Sequence, residues 1–146
     1  MLKMMRLFLT LCLLATLVAG VVADGRAARR RGARMDRNFM LRVGQEVLLA
    51  DQKLKIKFVS VPEDSRCPTG VTCIWAGSAR IALSVSEGKS KPISVELESN
   101  PRGEPGTQGG KFGNYIIKLV NVAPYPVEGQ PLATTEYAVT LIVSKK

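Results

Sequence analysis

In LKIKFVSVP, residues 54–62, Leu54, Ile56 and Phe58 alternate with Lys55 and Lys57. Period-two alternation puts successive side chains on opposite faces, so this stretch predicts a strand with one buried and one wet face. Beyond Phe58 the phase breaks, because Phe58 and Val59 are adjacent apolar residues, and such a break marks a bulge or a twist. YIIKLVNVA, residues 115–123, repeats the order 61 positions later and breaks phase in the same way at Leu119-Val120. Two strands in equivalent places of a pseudo-symmetric sandwich would read so, and so would chance likeness between strands.

Working outward, the same alternation recurs at Ala79, Ile81, Leu83 and Val85, at Ile93, Val95 and Leu97, and at Tyr137, Val139, Leu141 and Val143. Glu46 to Ala50 adds a further strand. Asp51-Gln52, Glu87-Gly88-Lys89 and the stretch 99–114 separate them as turns or loops. Six or seven short strands with no helical period of 10 residues between them predict an all-β domain over 39–146. Its expected form is an antiparallel β-sandwich (immunoglobulin-like) or a small barrel of 6–8 strands.

The region before this domain has a different character. Residues 1–23 read as a secretory signal peptide, with Lys3 and Arg6 ahead of an apolar run from Leu7 to Val18 and small residues near Ala23. The run is shorter than the roughly 20 residues a membrane span needs. A lipid anchor would need a cysteine after a small-residue motif, but Leu17-Val18-Ala19-Gly20 is followed by Val21. An uncleaved signal anchor stays open. Residues 24–38 form a basic linker without apolar period, expected to be solvated and disordered.

The formal charge of +9 is concentrated in that linker and just after it, in Arg26, Arg29, Arg30, Arg31, Arg34, Arg37 and Arg42. From Val43 onward twelve Lys and Arg face ten Asp and Glu. The basic character thus belongs to an arm, with weak contact to an anionic surface expected through Arg29, Arg30 and Arg31, and no nucleic-acid partner. The domain itself is expected to be a monomer with an envelope or extracellular partner.

Chemistry is narrowed by one absence, since the chain has no histidine. Ser-His and Cys-His nucleophile pairs and the common zinc and copper sets are thereby removed. Cofactors and metals are expected to be none. The loop 99–114 has five glycines and two prolines, but a phosphate cradle ending at Gly110-Lys111 would need glycine at 105 and Ser or Thr at 112, where Pro105 and Phe112 stand. Arg102, Lys111 and Phe112 remain candidate contacts of a binding loop.

The densest motif is EDSRCPTGVTCIWAG, residues 63–77. In an exported chain Cys67 and Cys73 read as a disulfide, and their five-residue gap is not that of a zinc knuckle or a dithiol redox centre. The Pro68-Thr69-Gly70 turn would let Cys67 fold back to Cys73. Closing so short a loop constrains the unfolded chain by about 2–2.5 kcal/mol on the entropic account. If the strand carrying Ala79, Ile81, Leu83 and Val85 continues backward unbroken, Gly77, Trp75 and Cys73 share its parity. Trp75 is then expected in the core beside the sulfurs. Glu63 and Asp64 point to opposite sides of an extended chain. Asp64 and Ser65 suit a turn at the strand end, and Arg66 is expected to pair with an acid at the surface. A rival reading uses Asp64, Arg66 and a remote carboxylate such as Glu96, Glu104 or Glu136 in a hydrolase- or inhibitor-like site.

The pattern V-x-E-D-S-R-C-P with V-x-C-x-W-A-G, here Val61 to Gly77, resembles a family of uncharacterised exported bacterial proteins. Tyr115, Ile117, Leu119, Val122, Pro124-Tyr125-Pro126 and the closing strand at Tyr137 extend the resemblance to about residues 45–143. It implies a small exported β-domain, sometimes lipid-anchored, with no assigned activity. The combined expectation is a non-enzymatic module that binds a partner or supports the envelope through 62–77 or 99–114.

Overall fold

A computed structural model describes residues 32–49, 53–100 and 109–146. The expected signal segment, most of the arginine arm, Arg102 and Glu104 lie outside the described residues. Eight strands form the body: β1 Phe39–Arg42, β2 Glu46–Leu49, β3 Leu54–Asp64, β4 Ala79–Glu87, β5 Ile93–Glu98, β6 Gly109–Phe112, β7 Tyr115–Ala123 and β8 Ala138–Lys145. They make two antiparallel four-stranded sheets, ordered β2-β3-β4-β5 and β1-β8-β7-β6. The two sheets do not close into a barrel; the sandwich is the architecture.

Alternation explains the packing. Leu54, Ile56 and Phe58 of β3 and Ile81, Leu83 and Val85 of β4 bury fully against Ile117 and Leu119 of β7 and Val139, Leu141 and Val143 of β8. The interleaved Lys57, Arg80 and Lys118 are exposed. At about 25 cal/mol per Å² of apolar surface removed from water, this double layer is the main source of stability.

The two runs related by 61 positions are equivalent strands. In β3 Phe58 faces Leu83 and Ser60 faces Ala82, so Val59 is the extra residue of a bulge. In β7 Leu119 faces Leu141 and Asn121 faces Thr140, so Val120 is its counterpart. Both bulged valines turn outward and are about half exposed. The correspondence extends across each sheet: Val47 pairs with Ile56 as Gly110 pairs with Ile117, and Leu97 pairs with Ile81 as Leu41 pairs with Val139. Units β1–β4 and β5–β8 thus repeat one plan of strand order and register, each lending its first strand to the sheet of the other.

Two strands escaped the alternation argument. β1 is four residues long, and β6 is Gly-Gly-Lys-Phe, with no apolar period to read. Lys111 and Phe112 therefore sit on a sheet-edge strand rather than in a loop. Gly110 has a packing reason: a Cβ there would lie 2.6 Å from Val95 and 2.9 Å from Leu97, whose side chains come across from β5.

Candidate functional site

Both long hairpin connections, 65–78 after β3 and 124–137 after β7, emerge at the same end of the sandwich and dock on each other. The Thr69 N–H donates to the Pro126 carbonyl at 3.0 Å, and the Glu128 N–H donates to the Thr69 carbonyl at 3.1 Å.

Strand β3 carries Glu63 and Asp64 to this end on opposite faces. Glu63 pairs with Arg80 in the open. Asp64 faces inward and accepts a forked pair from Arg66, Nε to Oδ1 at 2.8 Å and Nη2 to Oδ2 at 2.6 Å. The same guanidinium donates from Nη1 to the Val122 carbonyl at 2.6 Å and from Nη2 to the Pro124 carbonyl at 2.9 Å, beside the cis Ala123–Pro124 bond. Four of its five N–H groups are engaged. Its carbon centre lies 4.9 Å from the Tyr125 ring centroid, in cation–π range. The Tyr137 hydroxyl donates to Asp64 Oδ2 at 3.0 Å.

Arg66 is 8% exposed, so the expected surface pairing is overturned. A buried ion pair persists only where further hydrogen bonds satisfy both partners, and here a carbonyl of the opposite sheet, one from the connection that follows it and a tyrosine supply them. The cluster therefore fastens one sheet to the other. Burial alone would raise the Asp64 pKa, but the hydrogen bonds and charge of Arg66, with the Tyr137 hydroxyl, hold it below the ordinary carboxylate value. Burial first, then the bond to Asp64, raises Tyr137 above its ordinary value.

Beyond Arg66 the loop is closed covalently. Cys67 and Cys73 stand at disulfide distance, with Sγ–Sγ 2.16 Å and Cα–Cα 5.9 Å. The Val71 N–H reaches the Pro68 carbonyl at 3.4 Å, completing the turn between them. Ser65 and Ser78 close the loop base: the Ser65 N–H donates to the Ser78 carbonyl at 2.8 Å, and the Ser78 N–H donates to Ser65 Oγ at 3.2 Å. The Ser78 hydroxyl is in turn held by Glu98. Asp64 Oδ1 also accepts the Arg66 N–H at 3.2 Å, a side-chain turn at the strand end.

Trp75 is not in the core. It is 71% exposed, and Ile74 beside it is 90% exposed. The parity that placed Trp75 and Cys73 inward needs an extended chain back from Ala79, but β4 begins only there and Gly77 has φ +64°. That left-handed residue reverses the phase. It is also locked to glycine by space, because a Cβ would lie 1.8 Å from the Ser65 carbonyl oxygen.

Of the acids considered as partners for Asp64 and Arg66, Glu96 stands exposed on β5, and Glu136 accepts the Ala133 N–H at 2.8 Å. Neither is hydrogen-bonded into the cluster. Tyr137, Tyr125 and the carbonyls of Val122 and Pro124 complete the site, and no local pattern pairs them with Arg66. Among the described residues no group of His, Cys, Asp and Glu could hold a metal ion, and no helix is long and apolar enough to cross a membrane. In comparisons with known proteins no family model, no curated protein and no solved structure matches the chain.

Proposed function

We propose that the chain is an exported, non-enzymatic binding module that presents the closed loop 65–78 to a partner outside the cell or in the envelope. The observation that carries this reading is the exposure of Ile74 and Trp75 on a loop held by a cystine, a buried arginine and an obligate glycine. Exposed apolar groups cost solvation unless they serve contact, and rigid aromatic anchors lose little entropy on binding. Val71, Tyr125 and Val127, also exposed on the two docked loops, extend the apolar surface. A hydrolytic reading would need Asp64 or Arg66 to reach a substrate, and their bonds are spent on each other and on backbone carbonyls. A disulfide-distance pair and the resemblance at residues 61–77 are in keeping with export.

The test is capture of envelope proteins and polymers on the immobilised chain, repeated with Ile74→Ser and Trp75→Ala together. The expected result is a defined partner that the double variant loses by tenfold or more, with an unchanged unfolding midpoint. A partner retained equally by both chains would overturn the reading.

A further inference from the structure

Charge is sorted along the strand axis of the sandwich. One end is marked by the pairs Leu54–Glu87 and Tyr115–Lys145, the other by Asp64–Ala79 and Ala123–Ala138. At the first end Lys53, Lys89, Lys91, Lys145 and Lys146 are all exposed. The Gly88 N–H donates to the Lys53 carbonyl at 2.7 Å, and the Lys146 N–H to the Asn114 carbonyl at 2.8 Å, which ties the lysine-bearing turns to the starts of β3 and β7. Among the described residues the acidic side chains near them are Asp36 and Glu87, and Glu87 accepts the Tyr115 hydroxyl at 3.1 Å. The other end holds Glu63, Asp64, Glu98, Glu128 and Glu136 against Arg42, Arg66 and Arg80. Both ion pairs among the described residues are at that acidic end.

The chain also enters the body at the lysine end. Gly32 bridges Leu48, the Ala33 N–H donates to the Leu48 carbonyl at 3.2 Å, and the Asp36 N–H donates to the Val143 carbonyl at 2.8 Å. Arg34 is placed there with them, and Arg31 is bonded directly to Gly32.

We propose that this lysine end docks on the surface of an anionic lipid bilayer. Cations near such a surface each strengthen binding by about fivefold, so a cluster of five on a rigid end is a substantial site. A bilayer is favoured over other polyanions because, on the export reading proposed above, the apolar run Leu7 to Val18 brings the chain to a membrane. Docked this way, the module stands upright. The 11 residues of β3, at about 3.3 Å each, hold the 65–78 loop roughly 35 Å from the lipid. The inference is independent of what that loop contacts.

The test compares partition of the full chain onto vesicles of phosphatidylglycerol mixed with phosphatidylcholine and onto phosphatidylcholine alone. Any apolar insertion contributes to both, so the ratio isolates the electrostatic part. The expected ratio is well above one, falls with added salt, and drops at least tenfold when Lys53, Lys89, Lys91, Lys145 and Lys146 are all changed to Gln. A ratio near one, or one that the lysine changes leave intact, overturns the proposal. Stronger lysine-dependent retention on soluble polyphosphate or duplex DNA than on the anionic vesicles overturns the choice of a bilayer.

Discussion

The connections 65–78 and 124–137 leave equivalent strands, β3 and β7, at the same end of the molecule, yet they are held by different means. The first has a cystine, a buried arginine and a glycine with no room for a side chain. The second contributes the Pro124 carbonyl and the Tyr125 ring to the arginine of the first and the Tyr137 hydroxyl to Asp64, and its Gly129, at φ +70°, has open space around it. The strands keep the repeated plan because alternation and the shared bulge satisfy both sheets alike, and β3 alone adds a second register shift between Ser60 and Glu63. The loops depart from it, and the two most exposed large apolar side chains among the described residues, Ile74 and Trp75, stand on the first of them. The repeat supplies the scaffold, and its broken symmetry supplies the candidate contact surface.

The sharpest way to break this comparison is to remove the clamp. Arg66→Met leaves Asp64 buried without its cation and frees two carbonyls, and loss of one partner of such a pair costs about 3–5 kcal/mol. Urea unfolding should show that loss. Arg66→Lys should recover little of it, because an ammonium cannot form the fork to Asp64 and also reach the Val122 and Pro124 carbonyls. The double change Asp64→Leu with Arg66→Met should recover part of the loss, since no uncompensated charge remains. Val127→Ala, in the other connection, should cost less than about 1 kcal/mol. Equal losses from Arg66→Met and Val127→Ala would mean that the two connections are held alike.

Glycines give a second, smaller contrast. Gly77→Ala meets both a left-handed backbone and the Ser65 carbonyl oxygen, so the loop base must open; the expected cost is about 2–3 kcal/mol. Gly129→Ala has the same backbone sign but free space, and should cost about 1 kcal/mol. The gap between the two unfolding midpoints measures the close approach of Ser65 and Gly77 apart from the shared conformational strain.

The same contrast separates what was legible in the sequence from what was not. Strands β3, β4, β5, β7 and β8 were readable because each buries one face, and the bulges at Val59 and Val120 were visible as breaks of phase. β6 was not, since Gly109 and Gly110 carry no side chain to alternate. In the motif, the link between Cys67 and Cys73 follows from their spacing and setting. The position of Trp75 does not, because parity carries through a stretch only while it stays extended and Gly77 ends that. The burial of Arg66 was hidden for another reason. Its carbonyl acceptors stand 56 and 58 residues away, in β7 and just beyond its end, where nothing local signals them.

Protonation offers the finest comparison, because a tyrosine meets a carboxylate at each end: Tyr137 with Asp64 beside the closed loop, and Tyr115 with Glu87 at the lysine end. Asp64 titrates below its ordinary value in the folded chain, so its contribution is complete above about pH 4 and is lost as pH falls through the folded value. Both tyrosines are raised, by burial first and then by their carboxylates, so their contribution is complete below about pH 10 and is lost as pH rises through the folded values. Stability against urea should therefore plateau between these limbs. Tyr137→Phe should lower the plateau by about 1 kcal/mol, the worth of one hydrogen bond, and remove part of the alkaline limb. It should also shift the acid limb, since Asp64 loses a donor that favours its charged form. Tyr115→Phe should change the alkaline limb and leave the Asp64 contribution to the acid limb alone. If the two variants shift the acid limb equally, the Asp64 cluster is not the separate unit that its geometry describes.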